Sequence, residues 1–233
     1  MDGRLNRMDT GRLLILAGAH FLNDFYSHFL PPLLPLVVDK LKLSLTLAGL
    51  SATTYSVASS FAQPLFGILS DRTPRSSFSL ISPFLTVGFM SLIGVVSSFS
   101  MLLVVLAAGG LGAAAFHPQS VSLAGRLSGA RKGLGLSIFI SGGTIGSALG
   151  PLAIVLLVAA VGLERSFVVI LPGLAVAVAF LRLRPWFRAP TSADGAAGSP
   201  LQATLVRRWR PLLLLLGVVV FRSITRFSVV TFL

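Results

Sequence analysis

Three ionisable side chains follow one another at four-residue intervals early in the chain: His20, Asp24 and His28. In a helix, this spacing places them along one stripe that turns slowly around the axis. A carboxylate among apolar residues is costly unless it pairs or faces water, and protonation relieves that cost. The pattern therefore predicts that Asp24 carries a proton and that His20 shares it. The alternative is a structural Asp24 that pairs with an arginine of another helix.

The remaining histidine, His117, ends a stretch of small residues and precedes Pro118. Because proline removes a helical hydrogen bond, we expect the helix to bend there and to leave a carbonyl without its usual donor. A bend beside a polar residue is typical of a ligand cavity. We therefore predict that His117 joins Asp24 and His20 in proton transfer. The alternative is a kinked helix end that places His117 near the surface.

Two arginines, Arg222 and Arg226, stand one helical turn apart near the end of the chain. Buried arginines usually meet acids or anionic ligands, so both are predicted to contact a substrate or Asp24. The alternative is that the chain stops too early for this segment to be buried at all. The residues predicted to line a substrate cavity are Asn23, Tyr26, His28, Gln63, Gln119, Arg222 and Arg226.

The elements that carry these residues are long apolar blocks. The chain is 54% hydrophobic and only 11% charged, whereas a soluble domain carries roughly 25% charged residues. A membrane-spanning helix needs about 20 mostly apolar residues. Six complete spans are predicted, and a seventh begins near residue 212. The six are Leu13–Val38, Leu45–Leu69, Phe78–Phe99, Met101–Leu123, Leu134–Val161 and Ser166–Leu181.

The basic residues predict how these spans are oriented. Fourteen Arg and Lys residues fall at the N-terminus and in the connections after spans 2, 4 and 6, whereas the other connections hold only Lys40, Lys42 and Arg165. By the positive-inside rule, the N-terminus is cytoplasmic and the protein lies in a bacterial inner membrane. The net charge of +12 is therefore explained by topology, and no nucleic-acid partner is predicted.

The predicted organisation has three parts. Residues 1–181 form a six-span bundle, residues 182–210 form a basic cytoplasmic linker rich in Ala, Gly, Ser and Pro, and residues 211–233 begin a second bundle with an incomplete seventh span. The costly polar groups fall in spans 1, 4 and 7, which suits a transporter built of three-helix repeats. The expected fold is thus an all-α membrane protein whose C-terminal half, or a partner chain, is missing.

Two glycine-containing motifs predict movement between helices. The connection after span 2 reads GILSDRTPR, and it resembles the G-x-L-x-D-R-x-x-R signature of the major facilitator superfamily, although Pro74 stands where that family usually has glycine. Its acid would make a contact that forms in one conformation and breaks in another; the alternative is a plain basic loop. In span 5, glycines recur every fourth residue and allow close, sliding contact. The predicted gating residues are Gly67, Asp71, Arg72, Arg75, Gly142, Gly146, Gly150 and Pro151.

A more specific resemblance covers nearly the whole chain outside the linker. The strings HFLNDFYSHFLPPLLP at residues 20–35, GLGAAAFHP at 110–118 and SGGTIGSALGP at 141–151 resemble the fosmidomycin-resistance family of the major facilitator superfamily. The resemblance implies a twelve-span protein of two six-helix bundles that exports small molecules against inward proton flow. The residue after His117-Pro118 is often Glu in that family and is Gln119 here. If that Glu carries a proton in relatives, the resemblance implies that this protein relies on Asp24 and His117 for proton transfer.

Four functions remain after these observations. The first is proton-coupled export of a small molecule, with protons, substrate and the lipid bilayer as partners. The second is import or uniport on the same fold, and the third is a half-transporter chain without transport of its own. The fourth, a membrane enzyme, is disfavoured because the sequence contains no metal-ligand set, no Ser-His-Asp arrangement and no P-loop. No cofactor and no metal are predicted, and the absence of cysteine excludes disulfides and thiol chemistry.

Overall fold

The computed structural model describes residues 7–72 and 77–187, together with 209–211, 213–214, 217–218 and 221. Every regular element in these ranges is helical, so the prediction of an all-α protein is confirmed. Short 3-10 helices occupy Ile93–Val95, Ser166–Val169 and Arg184–Phe187. The α-helices are α1 (Thr10–Ser27), α2 (Leu30–Leu41), α3 (Leu45–Phe61), α4 (Gln63–Arg72), α5 (Ser77–Ser91), α6 (Phe99–Leu127), α7 (Lys132–Val161) and α8 (Ile170–Arg182).

The first two predicted spans each consist of two consecutive helices, and proline explains both interruptions. Pro31 and Pro32 have no N–H to donate to the carbonyls four residues earlier, so the helical ladder stops after Ser27. Both prolines instead occupy the first turn of α2, where no N–H is needed. Pro64 has the same position in the first turn of α4. The interruptions thus follow from the sequence, although the span predictions did not include them.

Three described helical segments are long and apolar enough to cross a membrane without interruption. They are Ser77–Val95, α6 and α7, and Ser166–Arg182 is a shorter apolar segment. These segments correspond to the predicted spans 3 to 6. A side-chain cap marks the start of α6: Ser98 Oγ accepts the Met101 N–H at 3.2 Å.

Helix α1 lies at the centre of the packing, with its most extensive contacts against α7 and further contacts with α5 and α6. Small residues on α6 permit close approach on its other sides. A Cβ at Gly110 would overlap Ala58 of α3, and a Cβ at Gly112 would overlap the backbone of Thr86 on α5. Because these glycines have no side chain, α3 and α5 pack against α6 almost backbone to backbone.

The contact between α1 and α7 is a row of glycines facing a row of backbone carbonyls. The row consists of three glycines of α7, and a Cβ on any of them would overlap a carbonyl oxygen of α1. Both series advance by four residues in the same chain direction, so the two helices run parallel. This direction matches the predicted orientation of spans 1 and 5. The facing pairs are Gly142 with Ala17, Gly146 with Phe21, and Gly150 with Phe25.

The chain divides into two compact units, residues 1–190 and residues 191–233. The first contains α1 to α8 and two clusters of buried apolar side chains. One cluster includes Phe29, Met90 and Leu106, and the other includes Leu13, Phe116 and Phe139. Of the second unit, the structure describes helical backbone at residues 209–211, 213–214, 217–218 and 221. The predicted linker and seventh span therefore remain predictions.

Candidate functional site

The polar centre of the first unit is formed by three side chains from two helices. His20 and Asp24 come from consecutive turns of α1, and His117 comes from α6. His20 Nε2 lies 3.2 Å from Asp24 Oδ2, and His117 Nε2 lies 3.6 Å from Asp24 Oδ1. We call these three residues the His–Asp–His cluster. The structure thus brings together the three residues for which the sequence predicted proton transfer.

The orientation of the His20 ring has a chemical consequence. Its Nδ1 lies 2.9 Å from the carbonyl oxygen of Phe139, and its ring stacks on that of Phe139 with centroids 4.2 Å apart. Since a carbonyl oxygen can only accept, Nδ1 carries a hydrogen. The lone pair of neutral Nε2 would then face the Asp24 carboxylate. Two acceptors at that distance repel, so the arrangement requires a proton between His20 and Asp24.

The other carboxylate oxygen of Asp24 is held by a chain of hydrogen bonds that begins on α5. Thr86 Oγ1 donates to Asn23 Oδ1 at 2.9 Å, and Asn23 Nδ2 donates to Asp24 Oδ1 at 3.2 Å. Both Thr86 and Asn23 are fully buried. Buried polar groups of this kind rigidify a site when all of them are satisfied. Asn23 was predicted as a cavity residue, and the structure gives it this positioning contact.

Replacing Thr86 with Val is expected to destabilise the bundle, because the buried Asn23 Oδ1 then loses its donor. A buried acceptor left unsatisfied costs about 1–3 kcal/mol. The measurement is the thermal unfolding midpoint of the purified protein in detergent. Thr144→Val is the matched control, since Thr144 is exposed and donates only within its own helix, to the Ile140 carbonyl. Equal midpoints for the two variants would contradict this role of Thr86.

Helix α7 closes the cluster on a third side. A Cβ at Gly143 would overlap the His20 ring and lie 2.8 Å from Asp24 Oδ2. Gly143 therefore leaves the space that the imidazole and the carboxylate occupy. The side chains of the cluster are partly open: 9% of His20, 15% of Asp24 and 28% of His117 is exposed. Of the three, His117 is the most accessible from outside.

Two predicted cavity residues lie in interhelical packing instead. The Tyr26 hydroxyl donates to the Val169 carbonyl at 2.7 Å, and Tyr26 belongs to a buried apolar cluster. Gln119 Oε1 accepts the Ser79 N–H at 3.1 Å, and only 2% of Gln119 is exposed. Both residues connect α1 or α6 to a neighbouring segment. The structure therefore shows that both residues form hydrogen bonds between packed segments, which the cavity prediction did not include.

The other predicted cavity residues have local contacts. His28 Nδ1 lies 2.8 Å from the backbone carbonyl of Asp24 and donates to it, at the place where α1 ends. Gln63 Nε2 donates to the Ser59 carbonyl at 2.9 Å, across the interruption between α3 and α4. Neither contact involves a side chain of the His–Asp–His cluster, although the carbonyl that accepts from His28 belongs to Asp24. Arg222 and Arg226 lie outside the described residues.

The predicted gating residues are only partly described. Gly67 lies on α4 facing α6, where a Cβ would come 3.9 Å from Pro118 Cβ. The backbone of Asp71 and Arg72 ends α4, but their side chains lie outside the described part, as does all of Arg75. Pro151 follows the glycine row within α7, which continues through it. Helix α6 likewise continues through Pro118.

Three contributors to the site were not predicted as site residues: Thr86, Phe139 and Gly143. Thr86 is an ordinary hydroxyl residue in an apolar stretch, and Phe139 contributes a backbone carbonyl, so no pattern signals either of them. Gly143 adjoins the predicted glycine row, one residue further along α7 than Gly142. No sequence pattern distinguishes Gly142, which faces backbone, from Gly143, which faces the cluster.

The helical bundle, which contains helical segments long and apolar enough to cross a membrane, indicates a multi-pass membrane protein. Residues 16–233 match the family described as Major Facilitator Superfamily. The chain therefore belongs to the Major Facilitator Superfamily, and the predicted all-α major facilitator fold is confirmed.

Two curated relatives make the resemblance more specific. The chain is 31% identical over 183 residues to the Fosmidomycin resistance protein of Escherichia coli (strain K12), which covers 78% of this chain and 45% of that protein. It is 32% identical over 152 residues to YfnC of Bacillus subtilis (strain 168), an uncharacterized MFS-type transporter, which covers 64% of this chain and 37% of that protein. The chain thus spans less than half the length of both relatives. The predicted resemblance to fosmidomycin-resistance proteins is confirmed.

Proposed function

We propose that this chain forms the N-terminal bundle of a proton-coupled exporter of small molecules, which works by alternating access. One observation carries the proposal: the bond from His20 Nδ1 to the Phe139 carbonyl directs Nε2 at the Asp24 carboxylate. That geometry calls for a proton shared by the two groups. A buried site that holds one proton in one state and releases it in another is what coupling requires.

In the proposed cycle, Asp24 accepts the proton and His117 delivers it. His117 has the largest exposed fraction of the cluster and lies beside the carboxylate. Protonated Asp24 is neutral, so it tolerates the closed bundle better than a carboxylate does. When the cavity opens to the cytoplasm, water stabilises the charged form and the proton leaves. Proton entry and exit are thereby tied to opposite conformations.

The proposed conformational change uses the glycine row of α7. Backbone-to-backbone contact without interlocking side chains lets α1 shift along α7 at small cost, which suits a rocking bundle. Asp71, Arg72 and Arg75 are proposed to form a contact at the cytoplasmic end that breaks when the cavity opens inward. The N-terminus is proposed to be cytoplasmic, in a bacterial inner membrane.

The proposed substrate is a small anionic or amphiphilic molecule. Fosmidomycin is the first compound to try, because one relative is named for resistance to it. Arg222 and Arg226 are proposed to contact an anionic group of the substrate. The proposed arginine contacts rest on residue type, and the choice of fosmidomycin rests on the relative's name.

The test uses the protein produced from its native gene and reconstituted into liposomes. A proton gradient is imposed, and fosmidomycin movement and internal pH are recorded together. Coupled export predicts that the gradient drives fosmidomycin uphill and that added fosmidomycin dissipates the gradient. Fosmidomycin movement that equilibrates without regard to the gradient would identify a uniporter instead. Liposomes without protein provide the background.

A further inference from the structure

The His–Asp–His cluster also has the composition of a metal-binding site. It offers two imidazole nitrogens and one carboxylate, and the three ligand atoms lie within 4.8 Å of one another. No other group of three or more such ligands occurs among the described residues. The sequence did not predict this set, because His117 is 93 positions from Asp24 and no ligand spacing connects them.

The two contacts with Asp24 are close to the ligand separations around a small divalent ion. A tetrahedral ion with bonds of about 2.0–2.1 Å separates its ligand atoms by about 3.3 Å. His20 Nε2 lies 3.2 Å from Asp24 Oδ2 and His117 Nε2 lies 3.6 Å from Asp24 Oδ1, so the three ligand atoms, which lie within 4.8 Å of one another, must draw together slightly around an ion. Three protein ligands leave a fourth position open. The partial exposure of His117 puts that position on the accessible side of the cluster.

The groups around the cluster already orient the ligands. Metal-binding histidines usually donate their other ring N–H to a backbone carbonyl or a carboxylate. His20 does so through Nδ1 to the Phe139 carbonyl, which directs the Nε2 lone pair toward the cluster. Asn23 Nδ2 holds Asp24 Oδ1 in a similar way. The repulsion between Nε2 and the carboxylate is relieved by any cation placed between them, and a metal ion relieves it as a proton does.

We infer that the His–Asp–His cluster binds one divalent transition-metal ion of the zinc class. Two imidazoles and one carboxylate form a ligand set of catalytic zinc sites, imidazole also suits iron, nickel and copper, and Mg²⁺ prefers oxygen ligands. The bound ion would join α1 to α6 and occupy the position of the shared proton. The metal ion would bind at the proposed coupling site, so its effect on transport rests on the proposed function.

The experiment is a titration of the purified protein, carrying a tag without histidine, with Co²⁺ in detergent. Its readout is the visible absorption of tetrahedral cobalt, followed by displacement with Zn²⁺. The chain offers few other imidazole or thiolate ligands for Co²⁺, because it has three histidines and no cysteine. We expect one Co²⁺ per chain, full displacement by Zn²⁺ and no change with excess Mg²⁺. Absence of the cobalt absorption, or its removal by Mg²⁺, would overturn the inference.

Three variants locate the ion, and one serves as the control. His20→Gln, Asp24→Asn and His117→Gln are each expected to weaken Co²⁺ binding at least about 100-fold, since loss of an outer-shell partner already costs about 10–100-fold. Asp39→Asn is expected to bind as the wild type does, because Asp39 is exposed and its carboxylate pairs with Lys42 outside the cluster. Equal affinity in all four variants would mean that the ion binds elsewhere.

The metal experiment and the transport experiment can fail separately. A protein that binds no Co²⁺ but transports with dependence on Asp24 overturns the metal inference alone. A protein that binds Co²⁺ at the cluster but transports without Asp24 overturns the proposed coupling alone. If both are right, Zn²⁺ added to the liposomes inhibits wild-type transport and leaves the proton permeability of protein-free liposomes unchanged.

Discussion

Replacing Asp24 with Asn is expected to abolish proton-coupled transport and to leave the fold intact. The introduced amide fits the contacts of the wild-type side chain. Its oxygen can accept from Asn23 Nδ2, and its NH₂ group can donate to the His20 Nε2 lone pair. The His20 bond to the Phe139 carbonyl remains. In the variant, the amide therefore satisfies the hydrogen-bonding groups of the cluster without a shared proton. No proton then remains to be coupled to transport.

The measurement is gradient-driven substrate movement in liposomes, compared with the amount of folded protein recovered after size exclusion. We expect transport at the level of protein-free liposomes, with recovery equal to that of the wild type. Asp39→Asn is the matched control, since it makes the same change at an exposed carboxylate that pairs with Lys42 outside the cluster, and it should keep its coupling. Coupled transport by the Asp24 variant at the wild-type rate would refute the assignment of Asp24.

The cluster could be predicted in part because helical geometry is simple. Four residues separate His20 from Asp24, which places them on one face in adjacent turns. The cost of burying Asp24 among apolar residues further indicates that a partner must exist. The role of His117 was inferred from the expected helix bend at Pro118 and from the family resemblance. Its distance from Asp24 had to come from the packing of α6 on α1.

The same geometry shows how the predicted cavity residues are placed relative to the cluster. At about 100° per residue, His28 lies roughly 80° around the helix from His20, and Tyr26 lies roughly 120° away on the other side. Gln119 is turned roughly 200° from His117, so the two face opposite sides of α6. Tyr26 and Gln119 were predicted as cavity residues from residue type alone, and helical angle adds that each points away from the histidine on its own helix.

What the sequence could not supply is the set of contacts made through backbone atoms. The Phe139 carbonyl orients His20, and the carbonyl of Phe21 faces Gly146. Every residue has a carbonyl, so residue type contains no signal for either contact. The interruption of α1 was readable in principle from Pro31 and Pro32. It was missed because the apolar block continues across it, and hydropathy alone does not register a missing N–H.

Replacing Gly146 with Leu is expected to separate α1 from α7 and to destabilise the bundle. A Cβ at this position would overlap the Phe21 carbonyl oxygen and come 3.0 Å from the Phe25 nitrogen. Because the opposing atoms are backbone, no side chain can rotate away, and the helices must move apart. Overpacking of a core costs about 1–3 kcal/mol when side chains can adjust, so the loss here should reach or exceed that range.

The movement should also reach the His–Asp–His cluster, since Gly143 lies one turn earlier on α7 and contacts both His20 and Asp24. The measurements are the thermal unfolding midpoint and the Co²⁺ affinity of the purified protein. Gly49→Leu is the control, because nothing lies within 4 Å of a Cβ at Gly49 and the gain in helix propensity is the same, about 0.8–1 kcal/mol. We expect the control to be neutral or stabilised. A Gly146 variant with the same midpoint as this control would show that α1 and α7 are not held in backbone contact.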